Sequence, residues 1–152
     1  MSALRVARYL LTKSSPGTDR AITHLKLQKL VYYAQAWHLV LREGRPLFHE
    51  EIEAWVHGPV CPVLYYEYRK YGYSEIPQER DIVFLPLDQI EIIDAIWEVY
   101  GSYSGRYLEQ LTHQELPWKE AREALQENEP SNKVISHKSM AEYYSKLLVG
   151  GE

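Results

Sequence analysis

One cysteine and six histidines hold most of the reactive chemistry that this chain could offer. Cys61 stands four residues after His57 and directly before Pro62, where a helix is expected to begin. A helix N-terminus lowers a thiol's pKa and favours the nucleophilic thiolate. A catalytic thiol also needs a base within hydrogen-bonding reach and a group that orients the base, and spacing alone supplies neither. A lone cysteine otherwise behaves as a small buried hydrophobe. His49, Glu50, Glu51 and His57 are the densest group of metal-ligand types, but they lack the one-face helical spacing of H-E-x-x-H. Glu50, Glu51 and Glu53 contain the makings of an acid–base pair, and a solvated strand face accounts for them more simply. The nucleophile elbow G-x-S-x-G, the phosphate loop G-x-x-x-x-G-K-[ST] and the dinucleotide fingerprint G-x-G-x-x-G are all missing. The sequence thus gives no catalytic residue, metal or cofactor to name, and the expectation is a protein that binds rather than catalyses.

Two lysines stand out on different grounds. Lys26 and Lys29 fall in the first two turns of a strongly indicated helix, where positive charge opposes the helix dipole. Either their stems carry the charge out to water, or they receive an acidic partner. His113 precedes Trp118 by five residues across an expected helix–helix turn. A buried histidine bonding a backbone carbonyl would lock that turn.

The elements that must position these residues are mostly helical. At 152 residues the chain has the size of one domain, taken as 1–152. Ala3, Val6, Ala7 and Leu10 have helical spacing, and the cluster Ser14-Ser15-Pro16-Gly17 stops that helix. Thr23 caps the next helix, with Ile22 and Leu27 as a hydrophobic staple. Leu27, Leu30, Val31, Ala34, Trp37 and Leu41 form a stripe that Tyr33, Ala36 and Val40 widen. A helix apolar over so much of its girth belongs at the centre of a domain. From Pro46 to Val60 the period shortens to two, which predicts one strand or a small hairpin around 47–57, turning near Glu50 and ended by Gly58-Pro59. Helices are then expected from Pro62 to about Tyr71, from an Asp88 cap with Glu91 completing a capping box, from Ser104, through Pro117 to Leu125, and from Ser136. The fold class is mainly α: a compact bundle of six or seven helices with a small β element.

Bulk properties narrow the function further. A net charge of −4 disfavours nucleic-acid binding, which gains from a concentrated basic face. The single cysteine excludes an intramolecular disulfide and a multi-cysteine metal site. Neither a signal peptide nor an apolar run long enough to span a bilayer is evident, so a soluble, cytoplasmic protein is expected. Thirteen tyrosines and four tryptophans against two phenylalanines suit either a core edge or a protein interface.

Three segments, taken together, are similar to a known family. They are Leu25-Lys26-Leu27-Gln28-Lys29-Leu30-Val31-Tyr32-Tyr33-Ala34-Gln35-Ala36-Trp37, then Pro46-Leu47-Phe48 with Glu53-Ala54-Trp55-Val56-His57-Gly58-Pro59-Val60, then Leu108-Glu109-Gln110-Leu111-Thr112-His113 with Pro117-Trp118. In order and spacing, from about residue 4 to residue 148, the chain resembles the Panacea domain, also described as the SocA-like antitoxin or phage-associated GepA-type domain. The resemblance implies an antitoxin of a bacterial or prophage toxin–antitoxin pair, which neutralises a toxin encoded by an adjacent gene by binding it. It also implies, for at least one branch, delivery of that toxin to a cytoplasmic AAA+ protease. Self-association into a homo-oligomer is compatible with it, and no membrane partner is implied. Some family members carry an extra DNA-binding domain, for which this chain has no room. The motif positions map here onto Lys26, Gln28, Lys29, Tyr32, Trp37, Trp55, Gly58, Pro59, His113 and Trp118, with no catalytic assignment. Gln28, Trp37, Gly58, Pro59, His113 and Trp118 read as architecture. Lys26, Lys29, Tyr32 and Trp55 are the expected toxin contacts, an aromatic anchor with a charged rim. The competing expectations are a small enzyme using Cys61 and His57, and a nucleic-acid-binding regulator using Lys26 and Lys29.

Overall fold

A computed structural model describes residues 2–150. Its centre is the helix α2 (His24–Leu41). Thr23 starts it, its hydroxyl accepting from the Lys26 amide at 3.3 Å. Because the sequence is apolar on nearly every side, other elements pack around it. These are α1 (Ala3–Thr12), α3 (Pro62–Tyr68), α4 (Leu87–Tyr100), α5 (Gly105–Gln114) and α7 (His137–Gly150). Leu27, Leu30, Val31, Tyr33 and Ala34 lose all solvent contact, and each fully buried large side chain contributes about 1.5–3 kcal/mol. At the far end Glu43 and Gly44 take positive φ, and the Gly44 amide donates back to the Leu39 carbonyl at 2.7 Å. The short helix α6 (Leu116–Arg122) completes the seven α-helices among the described residues. The mainly α class with a small β element is what the sequence indicated.

After α2 the chain doubles back along it, held by two glutamine side chains. Gln35 accepts from the Leu47 amide and donates to the Phe48 carbonyl, both at 2.7 Å. Gln28 accepts from the Cys61 amide at 2.9 Å and donates to the Cys61 carbonyl at 3.4 Å. Each amide thus serves both polar groups of a passing backbone, as a neighbouring strand would. Between the two clips lies an antiparallel hairpin of β1 (Glu53–Trp55) and β2 (Gly58–Val60), in register Glu53 with Val60, Ala54 with Pro59 and Trp55 with Gly58. The turn is therefore Val56-His57, six residues beyond the expected Glu50, and Gly58-Pro59 opens the second strand rather than closing the first. Gly58 is obligatory on two counts. Its φ is +101°, and a Cβ there would stand 2.7 Å from Lys29 Cε and 2.9 Å from Thr112 Oγ1. The other edge of β1 receives the segment before α7: the Ile135 amide donates to the Ile52 carbonyl and the Ala54 amide to the Lys133 carbonyl, each at 2.8 Å.

Ser104 and Ser136 cap α5 and α7 as expected, accepting from the Tyr107 and Ser139 amides. The capping box at Asp88 is not formed. The helix begins at Leu87 behind Pro86 without a side-chain cap, which leaves Asp88 inside the first turn, where its charge suits the dipole. Helix α6 ends at Arg122, short of Leu125, because Glu123 takes φ 53°.

Much of the tyrosine content is core. The Tyr33 and Tyr144 hydroxyls both donate to Glu115 Oε1, at 2.7 and 2.8 Å, and the Tyr144 and Tyr32 hydroxyls lie 3.0 Å apart. Tyr33 stacks on Tyr100 with centroids 4.2 Å apart. Burial raises the pKa of the Glu115 carboxyl, which is kept polar company by two hydroxyls rather than a cation. Among the described residues no helix is long and apolar enough to cross a membrane.

Candidate partner-binding cleft

A cleft of about 710 Å³ opens where the first half of α2, the hairpin, α3 and α5 meet. Gln28 forms its floor with Lys29 directly beneath, Trp55 and Tyr65 one wall, and Arg106, Glu109, Gln110 and His113 of α5 the other. Tyr65 is packed between two rings, 5.0 Å from Trp55 and 5.7 Å from His24. The Trp55 indole donates to Glu53 Oε1 at 2.8 Å, which fixes the ring along β1. A second, apolar hollow of about 190 Å³ lies beside the cleft, lined by Trp55, Val56, His57, Val60, Pro130 and Ser131. Trp55 and the hairpin turn are the ridge between the two.

The polar groups of the cleft are ordered in pairs. His57 Nδ1 is 2.9 Å from Glu109 Oε2. His113 stacks on Trp118 at 4.0 Å, with its Nδ1 3.5 Å from Glu127 Oε1. Stacking on Trp118 holds this ring, and the Val56 carbonyl beside it supplies the kind of backbone contact expected there. Burial lowers the pKa of His113, and lowers that of His24 to about 4 with help from the Lys29 charge. Gln28 Nε2 lies 3.0 Å from His24 Nε2.

Lys29 is the unusual member. It has no accessible surface, and its ammonium donates to the Pro59 carbonyl at 3.2 Å. Burial lowers its pKa to about 7, with Glu109 pulling the other way. A charge taken from water without a close counter-ion prefers to lose its proton. Lys26 solves the same problem differently. Its ammonium donates to the carbonyls of Asp19 (3.0 Å), Ala21 (2.9 Å) and Gly101 (2.6 Å). Gly101 caps the C-terminus of α4, where a cation is favoured. Burial still lowers its pKa, to about 8.

Of the four expected contact residues, the structure therefore places three inside. Lys26 and Tyr32 are buried in the body of the fold, and Lys29 lies beneath the cleft floor. Lys26 and Lys29 do not snorkel because backbone carbonyls from distant segments take the place of water. Trp55 alone of the four reaches the surface, half-buried at the ridge. Gln28, Gly58 and Pro59 surround the floor. Trp37 donates from its indole to the Tyr100 hydroxyl at 3.2 Å, and Trp118 from its indole to the Trp55 carbonyl at 2.8 Å.

Cys61 is buried, and burial pushes its thiol up to about 11. The expected lowering at the start of α3 is overturned: this helix has seven residues, and the apolar surroundings outweigh its dipole. The acidic residues around the hairpin are scattered, Glu50 accepting from the Ala3 amide and Glu53 from Trp55.

Sequence reasoning missed several residues that matter here, Tyr65 of the cleft wall among them. Arg106 and Glu109 lie one helical turn apart on the cleft wall, a spacing that pointed to this face. Gln35 lies seven residues from Gln28, hence on the same side of α2. Arg122 is buried and donates to the carbonyls of Ala54 (3.0 Å), Gln126 (3.0 Å), Glu127 (3.2 Å) and Glu129. It ties the hairpin to the 123–131 loop, and nothing local in the sequence marks it.

Comparison with known proteins identifies one family. The family model described as antitoxin SocA-like, Panacea domain matches residues 27–119. A protein named Antitoxin SocA from Caulobacter vibrioides (strain NA1000 / CB15N) is 46% identical over 65 residues, a match that takes in 43% of this chain and 34% of that protein. The chain thus spans about a third of the length of that relative. No solved structure matches the chain significantly.

Proposed function

Because the chain belongs to the SocA-like antitoxin family defined by the Panacea domain, we propose that it is an antitoxin that neutralises a toxin, encoded by an adjacent gene, by binding it directly. The contact is the cleft at Trp55 together with the neighbouring hollow. What carries this reading is that all the cleft-lining residues except His24, Leu25 and Glu127 fall inside the matched segment 27–119. The walls are tryptophan, tyrosine and histidine with an arginine at the mouth, the composition that dominates binding energy at protein interfaces. The rim adds an exposed aromatic side chain, Tyr73. We take residues 1–152 as one Panacea domain, since α1 and α7 both pack on α2.

An enzyme built on Cys61 and His57 is disfavoured by a thiol whose pKa is pushed up to about 11, which leaves negligible thiolate at neutral pH. A nucleic-acid regulator using Lys26 and Lys29 is disfavoured by the burial of both. Handing the bound toxin to a cytoplasmic AAA+ protease is a further step within the same function, read out as a shortened toxin half-life when this protein is present.

Co-expression tests the proposal. The adjacent gene is expressed alone and with this protein, growth is scored, and a tag on this protein is used for pull-down. Growth arrest by the neighbour, rescued together with a stable complex, is the expected result. Trp55→Ala is expected to lose protection while remaining folded. A harmless neighbour that does not bind would overturn the antitoxin assignment.

A further inference from the structure

Each carboxylate of the cleft has a histidine ring beside it, and neither of its cations has a carboxylate. Glu109 and Glu127 each face a histidine, at 2.9 and 3.5 Å. Arg106 and Lys29 line the same cleft, and neither has a carboxylate within 4.0 Å among the described residues. Arg106 is exposed at the mouth, and Lys29 lies beneath the floor with a carbonyl for company. We propose that the cleft takes an aspartate or glutamate side chain of the bound toxin, gripped by Arg106 and stabilised from below by the Lys29 charge, with a neighbouring apolar residue of the toxin seated in the hollow behind Trp55. The assignment rests on the antitoxin function proposed above.

The physical grounds are complementarity and desolvation. A guanidinium meets a carboxylate through two parallel hydrogen bonds. The Trp55 and Tyr65 rings exclude water from one side, which strengthens charge interactions in the cleft. A neutral residue in the same place would leave both cations unmatched, so the site discriminates by penalty as well as by attraction. The titratable and charged groups that line the cleft with Lys29 are His24 from α2, His57 from the hairpin, Tyr65 from α3, Tyr73 after it, Arg106, Glu109 and His113 from α5, and Glu127 from the loop after α6. Glu109 already acts on Lys29 from a distance, and an incoming carboxylate held closer adds to that pull. It raises the lysine's pKa from about 7, so binding takes up a proton and weakens with rising pH.

The test is calorimetric titration of this protein with the purified product of the adjacent gene. Arg106→Glu, an exposed change expected to leave the melting temperature in place, should weaken binding by roughly 30-fold or more, the scale of a lost charge-assisted pair turned repulsive. One aspartate-to-lysine or glutamate-to-lysine change in the neighbour's product should restore binding to that variant. Wild-type affinity should fall about tenfold from pH 6.5 to 8.5, and Lys29→Met should flatten that dependence. Tight binding by wild type and Arg106→Glu alike overturns the carboxylate site and leaves the antitoxin function standing. Loss of binding on removing the last residue of the neighbour's product, with no internal acidic residue mattering, overturns the side-chain assignment in favour of a terminal carboxylate. If the wild-type protein binds nothing and the neighbour is harmless, both fall.

Discussion

Replacing Lys29 by methionine should flatten the pH dependence of stability in the neutral to alkaline range. The side chain is wholly buried, and its pKa falls from 10.5 to about 7 on folding. Between those values the unfolded chain holds the proton more tightly than the folded one. Stability therefore rises with pH through this window, because raising pH removes a proton that only the unfolded state wants. From pH 7 to about 9.5 the difference in proton binding amounts to about 2 pH units of free energy, or about 3 kcal/mol at 1.36 kcal/mol per unit. Lys26, lowered to about 8, tilts the wild-type curve the same way, so the informative quantity is the difference between wild type and Lys29→Met. Methionine keeps most of the packing against Gly58 and forfeits the bond to the Pro59 carbonyl, a loss of about 1 kcal/mol that is nearly independent of pH. Above about pH 10 the buried tyrosines, whose pKa values are raised, reverse the trend, so the comparison stops short of that. Urea unfolding at four pH values for both proteins gives the result directly. Parallel curves for the two proteins would refute the view that Lys29 is buried with its proton loosely held.

Three more outcomes follow from the geometry. Gly58→Ala sets a Cβ 2.7 Å from Lys29 Cε in a backbone at φ +101°. It should cost about 2–4 kcal/mol, a drop of roughly 5–12 °C in melting temperature, whereas an unchanged melt would mean that the hairpin shifts freely. His24, its pKa lowered to about 4, makes the protein lose stability as pH falls from 6.5 towards 4, because the unfolded histidine protonates first. His24→Gln should shrink the difference in urea midpoint between pH 7 and pH 5, and an undiminished difference would assign the acid sensitivity elsewhere. Arg122→Met leaves the Ala54 carbonyl unpaired and releases the loop after α6, at about 2–3 kcal/mol. Chymotrypsin should then cut near Leu125 well before it attacks the rest of the chain, and equal resistance would show that the loop stands without the guanidinium.

What could be read from the sequence was what is decided locally. Thr23, Ser104 and Ser136 cap their helices because a cap needs only its own next three residues. The stripe from Leu27 to Leu41 announced a central helix because its period is intrinsic. Alternation from Phe48 to Val56 revealed an extended segment but not where pairing begins, since extended residues alternate whether or not they have a partner strand. Hence the turn was expected at Glu50 and lies at Val56-His57. Lys26 and Lys29 were misplaced for a different reason: the carbonyls that receive them belong to Gly101 and Pro59, and only the assembled fold brings those within reach. Trp55 was picked out as an aromatic that reaches the surface, yet its companions Tyr65 and Arg106 were not, because the cleft is made by four elements whose side chains only the fold brings together.

The two glutamine clips on α2 fasten to amides and carbonyls, not to side chains, at Leu47-Phe48 and at Cys61. An anchor of that kind is blind to the identity of the residues it holds. The stretch between the anchors can exchange its outward-facing side chains, or lengthen its turn, while its two ends stay pinned to the same helix. Substitutions of outward-facing side chains in that stretch therefore leave its attachment to the core untouched. Here the route of the backbone is fixed separately from the chemistry it displays.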